Sequence, residues 1–267
     1  MTRHGMKSSV RQGLAFGYLG LVYLFILGPM IVVVVSSFNS ATAFPSAFES
    51  ASLRWYESLL RHDEFMTSMW VSTRVAFIAA ALATLMGIPL SFFLVRGRFR
   101  GKEIINAFFL SPLIIPQIAL SIALLQMFSL INLRLSQGTL IVAHAVLIMP
   151  FVIRAVIASL HFVDRSLEES AMNLGANRIQ TFFYITLPLI RAGVTAGFVL
   201  AFIISFINVP LSLFLTTPGT TTLPIRVFSY MQSRLDPLVA AVGTLTVLGV
   251  SVLALFLEKV LKVRLIF

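Results

Sequence analysis

Apolar residues along this chain run in long blocks instead of alternating with polar ones at the period of a half-wet helix or strand. Six such blocks stand out, at about Leu14–Val35, Thr67–Val95, Ile104–Ile131, Thr139–Leu160, Leu189–Leu215 and Leu238–Leu257. Each is near or above the roughly 20 residues that an α-helix needs to cross a bilayer. They are too long and too uniform for barrel strands, which alternate over about 10 residues. The first block follows Arg3, Lys7 and Arg11, as a signal peptide would. It outruns the roughly 7–15 apolar residues of a signal sequence, so it reads as a span. The pattern predicts an all-α membrane protein with six transmembrane helices. A helical domain over residues 14–257 would lie between an N-terminal tail, 1–13, and a C-terminal tail, 258–267.

Composition agrees. Of the 267 residues 58% are hydrophobic and only 11% charged, against about 25% charged in an ordinary soluble domain. A cytosolic enzyme, a secreted disulfide scaffold and a disordered regulator are all excluded. With no cysteine, disulfides, thiolate metal sites and cysteine nucleophiles are excluded too. The net charge of +10 would suit nucleic acid on one folded face, but the basic residues are strung between the spans. Arg3, Lys7, Arg11, Arg96, Arg98, Arg100, Lys102, Arg165, Arg178, Lys259, Lys262 and Arg264 fall on one side. Arg54, Arg61, Arg134, Arg226 and Arg234 fall on the other, offset by Glu49, Glu57, Asp63, Glu64 and Asp236. The positive-inside rule then places both termini in the cytoplasm.

Within the spans lie Pro89, Pro112, Pro116, Pro150 and Pro210. Pro112 and Pro116 are placed to bend the third span around a pathway, although proline is simply more frequent in membrane helices than in soluble ones. No aspartate or glutamate falls inside the six blocks. Arg74 and Arg154 are close enough to span ends to snorkel. Gln117, Ser205, Asn208 and Ser212 are neutral groups that line a translocation pathway if they face the interior; equally, they serve as interhelical hydrogen-bond glue. His144 has no acidic or second histidine neighbour in sequence, which reads as a packed, hydrogen-bonded residue.

The connection between the fourth and fifth blocks, 161–187, is long and unlike a loop in composition. Ser166 and Glu169 have capping-box spacing, which predicts a helix start. Leu167, Ala171 and Leu174 share a face, Gly175 sits where a left-handed turn would stop the helix, and a second helical piece, Asn177–Ile185, exposes Ile179, Phe182 and Phe183. Pro188 opens the next span. Such a helix–turn–helix has apolar residues and nothing of its own to bury them against, which calls for a docking partner.

Glu169-Ser170-Ala171, three residues, Gly175, nine residues, Ile185, one residue, Leu187-Pro188 resembles the EAA loop of ABC importer permeases, with Ser170 in place of an alanine. Ser52-Leu53-Arg54-Trp55-Tyr56, Thr222-Leu223-Pro224, Asp236-Pro237-Leu238, Ala240-Ala241 and Thr244 look like segments of the polyamine-type and iron-type members. The resemblance implies a type I ABC importer permease fold. It also implies that Ser166, Glu169, Ser170, Ala171, Gly175, Ile185, Leu187 and Pro188 form a coupling loop seated on a cytoplasmic ABC ATPase dimer. Further implied partners are a second permease subunit, a paralogue favoured over a second copy, and a periplasmic or extracellular solute-binding protein. The location would be a prokaryotic plasma (inner) membrane.

No catalytic residue is expected. The chain lacks the G-x-x-x-x-G-K-[ST] phosphate loop, and Gly97–Gly101 reads as a basic turn. Cofactors are none on this chain, ATP and Mg belonging to the partner ATPase. His4, His62, His144 and His161 are scattered, so no metal site is expected. Polyamine permeases of this type are expected to carry a carboxylate near 205–211, where this chain reads Ser-Phe-Ile-Asn-Val-Pro-Leu. The expected solute is therefore small and polar: a polyamine with its carboxylate supplied elsewhere, an amino-acid derivative, an opine or a phosphonate. A self-sufficient ion-coupled carrier or channel is the rival reading, and it predicts intramembrane acids or inverted repeats. A scaffold without transport would leave the loop spacing unexplained.

Overall fold

A computed structural model of the chain describes residues 3–42, 48–234 and 236–260. Lys262 and Arg264, two of the basic residues assigned to the C-terminal tail, lie outside the described residues. Among the described residues four helices are long and apolar enough to cross a membrane, and two bent helix pairs bring the number to six when each pair counts as one span. The four are α1 (Arg3–Ser37), α3 (Asp63–Arg96), α6 (Gln137–His161) and α13 (Leu238–Val260), and the short α2 (Arg54–Leu60) precedes α3. One bent pair runs from α4 (Lys102–Leu110) and a 3₁₀ turn into α5 (Gln117–Leu130), turning through 105°. The other runs from residue 178 to 206, turning through 69°.

The third span is thus broken rather than merely curved. Pro116 has no N–H for the carbonyl of Pro112 four residues back, and the chain unwinds before restarting at Gln117. Pro89 and Pro150 lie inside uninterrupted helices. The fifth span departs further from the single helix expected over Leu189–Leu215. Its main helix, α10 (Arg191–Phe206), ends where Pro210 can offer no N–H to the carbonyl of Phe206. The chain resumes in α11 (Pro210–Leu215), whose Leu211 N–H is taken by Asn208 Oδ1 at 2.8 Å.

Contacts divide the chain into two compact units, one of Met1–His62 with Tyr230–Gly249 and one of Asp63–Ser229 with Val250–Phe267. In the first, the turn after α1 is held by residues of the segment that resembles the polyamine-type and iron-type permeases. Trp55 Nε1 donates to Asn39 O at 2.8 Å, Ser37 Oγ and Tyr56 Oη are 2.7 Å apart, and Asn39 pairs with Ala51 in an antiparallel bridge. Asp236 caps α13 through Leu238 N–H and also accepts from Tyr230 Oη. In the second unit, Leu223, at the start of α12 (Leu223–Ser233), donates its N–H to Ser72 Oγ at 2.7 Å.

The centre of the second unit is the packing of α3, α6 and α10 on one another. Lipid tails are as apolar as leucine, so helices associate in a bilayer by close van der Waals fit, and small residues permit it. Ala76, Ala79, Ala80, Ala83 and Gly87 form such a face on α3, and all are buried. Gly193 and Gly197, four apart on α10, lie against α6. A side chain built on Gly197 would meet Ala155 Cβ and Val152 Cα at 3.2 Å, and one on Gly193 would run into Ser159. Val152, Ile153 and Val156 of α6 are wholly buried there.

Candidate functional site

The connection after α6 folds as a compact helical hairpin. Its first arm is α7 (Arg165–Asn173), but the cap is not the expected one. Asp164, rather than Ser166, accepts the orphan N–H, from Ser166 at 2.9 Å. An aspartate whose carboxylate reaches its own backbone two residues on needs no glutamate at the third position. That hydrogen bond holds the exposed Asp164 carboxyl below its ordinary range, with a smaller pull from Arg96.

The helix ends in a Schellman turn. Ala176 N–H reaches Ala171 O at 3.1 Å, and Gly175 N–H reaches Met172 O at 3.0 Å. Gly175 has φ +96° with open space where a Cβ would go, so the backbone angle and not crowding within the chain requires glycine. The second arm, α8 (Arg178–Thr181), carries a full capping box between Asn177 and Gln180. It passes into a π-helical turn over Phe182–Thr186 and then α9 (Leu187–Leu189). Pro188 cannot bond the carbonyl of Tyr184, and a widened turn is the usual adjustment to a membrane proline.

Along this hairpin the motif residues take different positions. Ser166, Glu169, Ser170 and Pro188 are exposed, whereas Ala171, Ile185 and Leu187 are half-buried. Glu169 pairs with Arg165 one turn earlier, at 3.1 Å on the open surface. Leu174, Ile179, Phe183 and Tyr184 stand 57–90% exposed, a concentration of apolar surface on one short segment.

The inward-facing carboxylate is Glu168. Its side chain is 8% exposed and meets the guanidinium of Arg96, the last residue of α3. Arg96 Nη2 donates to Glu168 Oε1 at 3.2 Å, and Nε sits 3.1 Å from Oε2, off the hydrogen-bonding line. The same Nη2 reaches Val163 O at 3.0 Å, and Thr186 Oγ1 donates to Oε1 at 3.0 Å. Beside this pair a cavity of about 250 Å³ is rimmed by three arginines, Arg96, Arg165 and Arg178, and by both glutamates. Arg96, Glu168 and Thr186 are not among the functional residues expected from sequence. The signal for them there is faint: in the linear pattern Arg96 is one more flanking charge, and Glu168 is the neighbour of a motif glutamate.

The four candidate pathway residues form two sets of contacts. Ser205 and Ser212 are buried against His144, with Oγ atoms 2.8 Å from Nδ1 and 3.2 Å from Nε2. A neutral imidazole satisfies such a pair by donating through one nitrogen and accepting through the other. Asn208 Nδ2 donates to Gln117 Oε1 at 3.1 Å, joining the two places where spans three and five are broken. Gln117 is the exposed member of the four. Arg74 lies over the Trp70 ring at 5.2 Å. No group of three His, Asp or Glu among the described residues is placed to hold a metal ion.

Residues 83–266 match the family described as binding-protein-dependent transport system inner membrane component. The putrescine transport system permease protein PotI of Escherichia coli (strain K12) is 35% identical over 232 residues, covering 84% of this chain and 82% of PotI. The spermidine/putrescine transport system permease protein PotC of the same strain is 31% identical over 229 residues, covering 86% of each. Among solved structures, a bacterial ABC transporter involved in the import of alginate overlays with a TM-score of 0.73 at 15% identity, over 97% of this chain and 98% of that one. At that identity the likeness is one of fold.

Proposed function

The chain belongs to the family of binding-protein-dependent transport system inner membrane components, and from that premise we propose that it is the coupling-loop-bearing permease of an ATP-driven importer. The family is a transporter component and not an enzyme by itself. The observation that carries the finer reading is the hairpin of residues 165–186. It offers exposed Leu174, Ile179, Phe183 and Tyr184 together with Glu169, next to a rigidly capped helix. An apolar patch on a short hairpin, rimmed by charge, is the chemistry of a protein docking surface. A cytoplasmic ABC ATPase dimer is its proposed occupant.

On this reading ATP binding draws the docked loops together and tilts the bundle between inward-facing and outward-facing states. The ATPase and an extracytoplasmic binding protein bias one two-state equilibrium from opposite sides. The charge asymmetry of the connections supports cytoplasmic termini. A polyamine-class solute is supported by the likeness to PotI and PotC, permease proteins of a putrescine and a spermidine/putrescine transport system. A dication crossing a low-dielectric path needs an anionic partner, so a second permease, a paralogue in preference to another copy, supplies the carboxylate that this chain's spans lack.

The test is to tag the chain, extract it gently and identify co-purifying proteins by mass spectrometry. An ATPase together with a second permease is the expected result; an ATPase alone points to two copies of this chain. Recovery of intact protein without an ATPase, from membranes that express one, overturns the reading in favour of a self-sufficient carrier.

A further inference from the structure

A loop that only docks a partner needs no tie to the rest of its own chain beyond the peptide, yet α7 carries one. The Glu168 carboxylate meets Arg96 and Thr186, and Arg96 brings in a third part of the second unit. Arg96 comes from the end of α3, and its guanidinium also holds Val163 O just beyond the end of α6. Thr186 is the last position of the π-helical turn in the hairpin's second arm, so its bond joins the two arms, and that arm continues through α9 and a 69° bend into α10. The ends of α3 and α6 engaged in this way belong to helices that pack with α10 to form the centre of the unit.

Placement at the helix ends strengthens each tie. A cation on the last residue of α3 complements the partial negative charge of that terminus, and Val163 O is an acceptor left over where α6 has stopped. A carboxylate with 8% of its side chain exposed loses most of its hydration. It stays where its donors can be satisfied together and is poorly satisfied one turn away. The neighbouring Glu169 has none of these partners and is 57% exposed. The two glutamates therefore divide the work of α7, one facing outward and one inward.

The geometry points to Glu168, Arg96 and Thr186 as positioning residues for energy coupling: a polar clamp that closes the two arms of the docking hairpin on each other and makes it move as one body with the ends of α3 and α6. The inference rests on the reading of the hairpin as the ATPase-docking loop. Without the clamp, a displacement of α7 would be absorbed by the segments that flank it and would not tilt the core helices.

The chain has no cysteine, which makes a direct distance measurement clean. Spin labels are attached at Asn173→Cys on α7 and Leu85→Cys on the exposed side of α3, both accessible positions. The complex, with cysteine-free partner subunits, is placed in lipid nanodiscs. Distances are recorded by pulsed electron paramagnetic resonance without nucleotide and with ATP and vanadate. In the otherwise unsubstituted chain one narrow distance distribution is expected, unchanged by nucleotide. In Glu168→Gln and in Thr186→Val a second population appears when ATP and vanadate are added. Glu169→Gln keeps the single population.

A distance that shifts with nucleotide in the unsubstituted chain overturns the clamp, as does a single unchanged population in Thr186→Val. If Glu168→Gln fails to assemble, Thr186→Val decides alone, since it removes one hydroxyl and no charge. Failure of the underlying reading is seen earlier and separately, because no ATPase then accompanies the labelled but otherwise unsubstituted chain.

Discussion

Glu169 projects from α7 with 57% of its side chain exposed and only the surface partner Arg165 beside it. Replacing it with lysine sets two like charges one turn apart, worth about 0.2–0.5 kcal/mol against the helix. That is too little to unfold the hairpin, so a loss of transport in Glu169→Lys reports on contact with the partner. The expected outcome is an inserted, stable protein whose complex no longer shows solute-stimulated ATP hydrolysis; retained stimulation would remove Glu169 from the docking contact. Truncating Glu168 to alanine is a different experiment. It leaves the half-buried Arg96, its side chain 17% exposed, without its counter-charge, a loss of up to about 3–5 kcal/mol, the cost of removing one partner of a fully buried pair. The expected signature is a clear drop in thermal stability of the purified chain, absent in Glu169→Ala. Gly175 is a third case. Its φ of +96° with free space around the absent Cβ makes Gly175→Asn milder than Gly175→Val, because asparagine tolerates left-handed backbone and a β-branched residue does not. Equal melting temperatures for the two variants would contradict a purely conformational requirement.

Among the elements, α10 depends on how closely it approaches α6. A leucine at Gly197 would need room where Ala155 Cβ and Val152 Cα already stand at 3.2 Å. Overpacking of this kind costs about 1–3 kcal/mol or more. Gly249 on α13 has nothing within 4 Å of the point where a Cβ would stand, so Gly249→Leu is the matched control. Thermal melts in detergent should separate the two variants, Gly197→Leu melting well below Gly249→Leu. The hairpin arms show how local chemistry and long-range contact share the work. Asp164, Asn177 and Gly175 set the ends of α7 and α8 by hydrogen bonds within a few residues, whereas the direction in which Glu168 points is set by a residue 72 positions away in α3.

For the whole molecule, the charge asymmetry leads to a test of orientation. In spheroplasts, a membrane-impermeant maleimide is expected to label Glu57→Cys and to spare Leu174→Cys until the membrane is opened. The reverse pattern would turn the protein over and put the hairpin out of reach of any cytoplasmic ATPase. Both positions are exposed in the structure, and the chain is labelled in cells that lack its ATPase, so protection reads as sidedness rather than burial under a partner.

Much of this protein follows from properties a linear chain already carries. Block length sets the number of apolar segments, because a bilayer has a fixed thickness and each block must satisfy its own backbone bonds inside it. The hairpin ends at Gly175 and Asn177 are equally local, since a cap or a left-handed turn is decided by neighbours within one helical turn. The proline breaks are half legible: Pro112, Pro116 and Pro210 announce lost hydrogen bonds, but Pro89 and Pro150 announce the same loss and leave their helices unbroken. Which outcome a proline has depends on whether neighbouring helices hold the backbone straight. The separate roles of Glu168 and Glu169 lie wholly beyond the linear pattern. Two adjacent glutamates are chemically identical until the fold brings Arg96 and Thr186 to one of them, and only tertiary packing can choose which carboxylate loses its water.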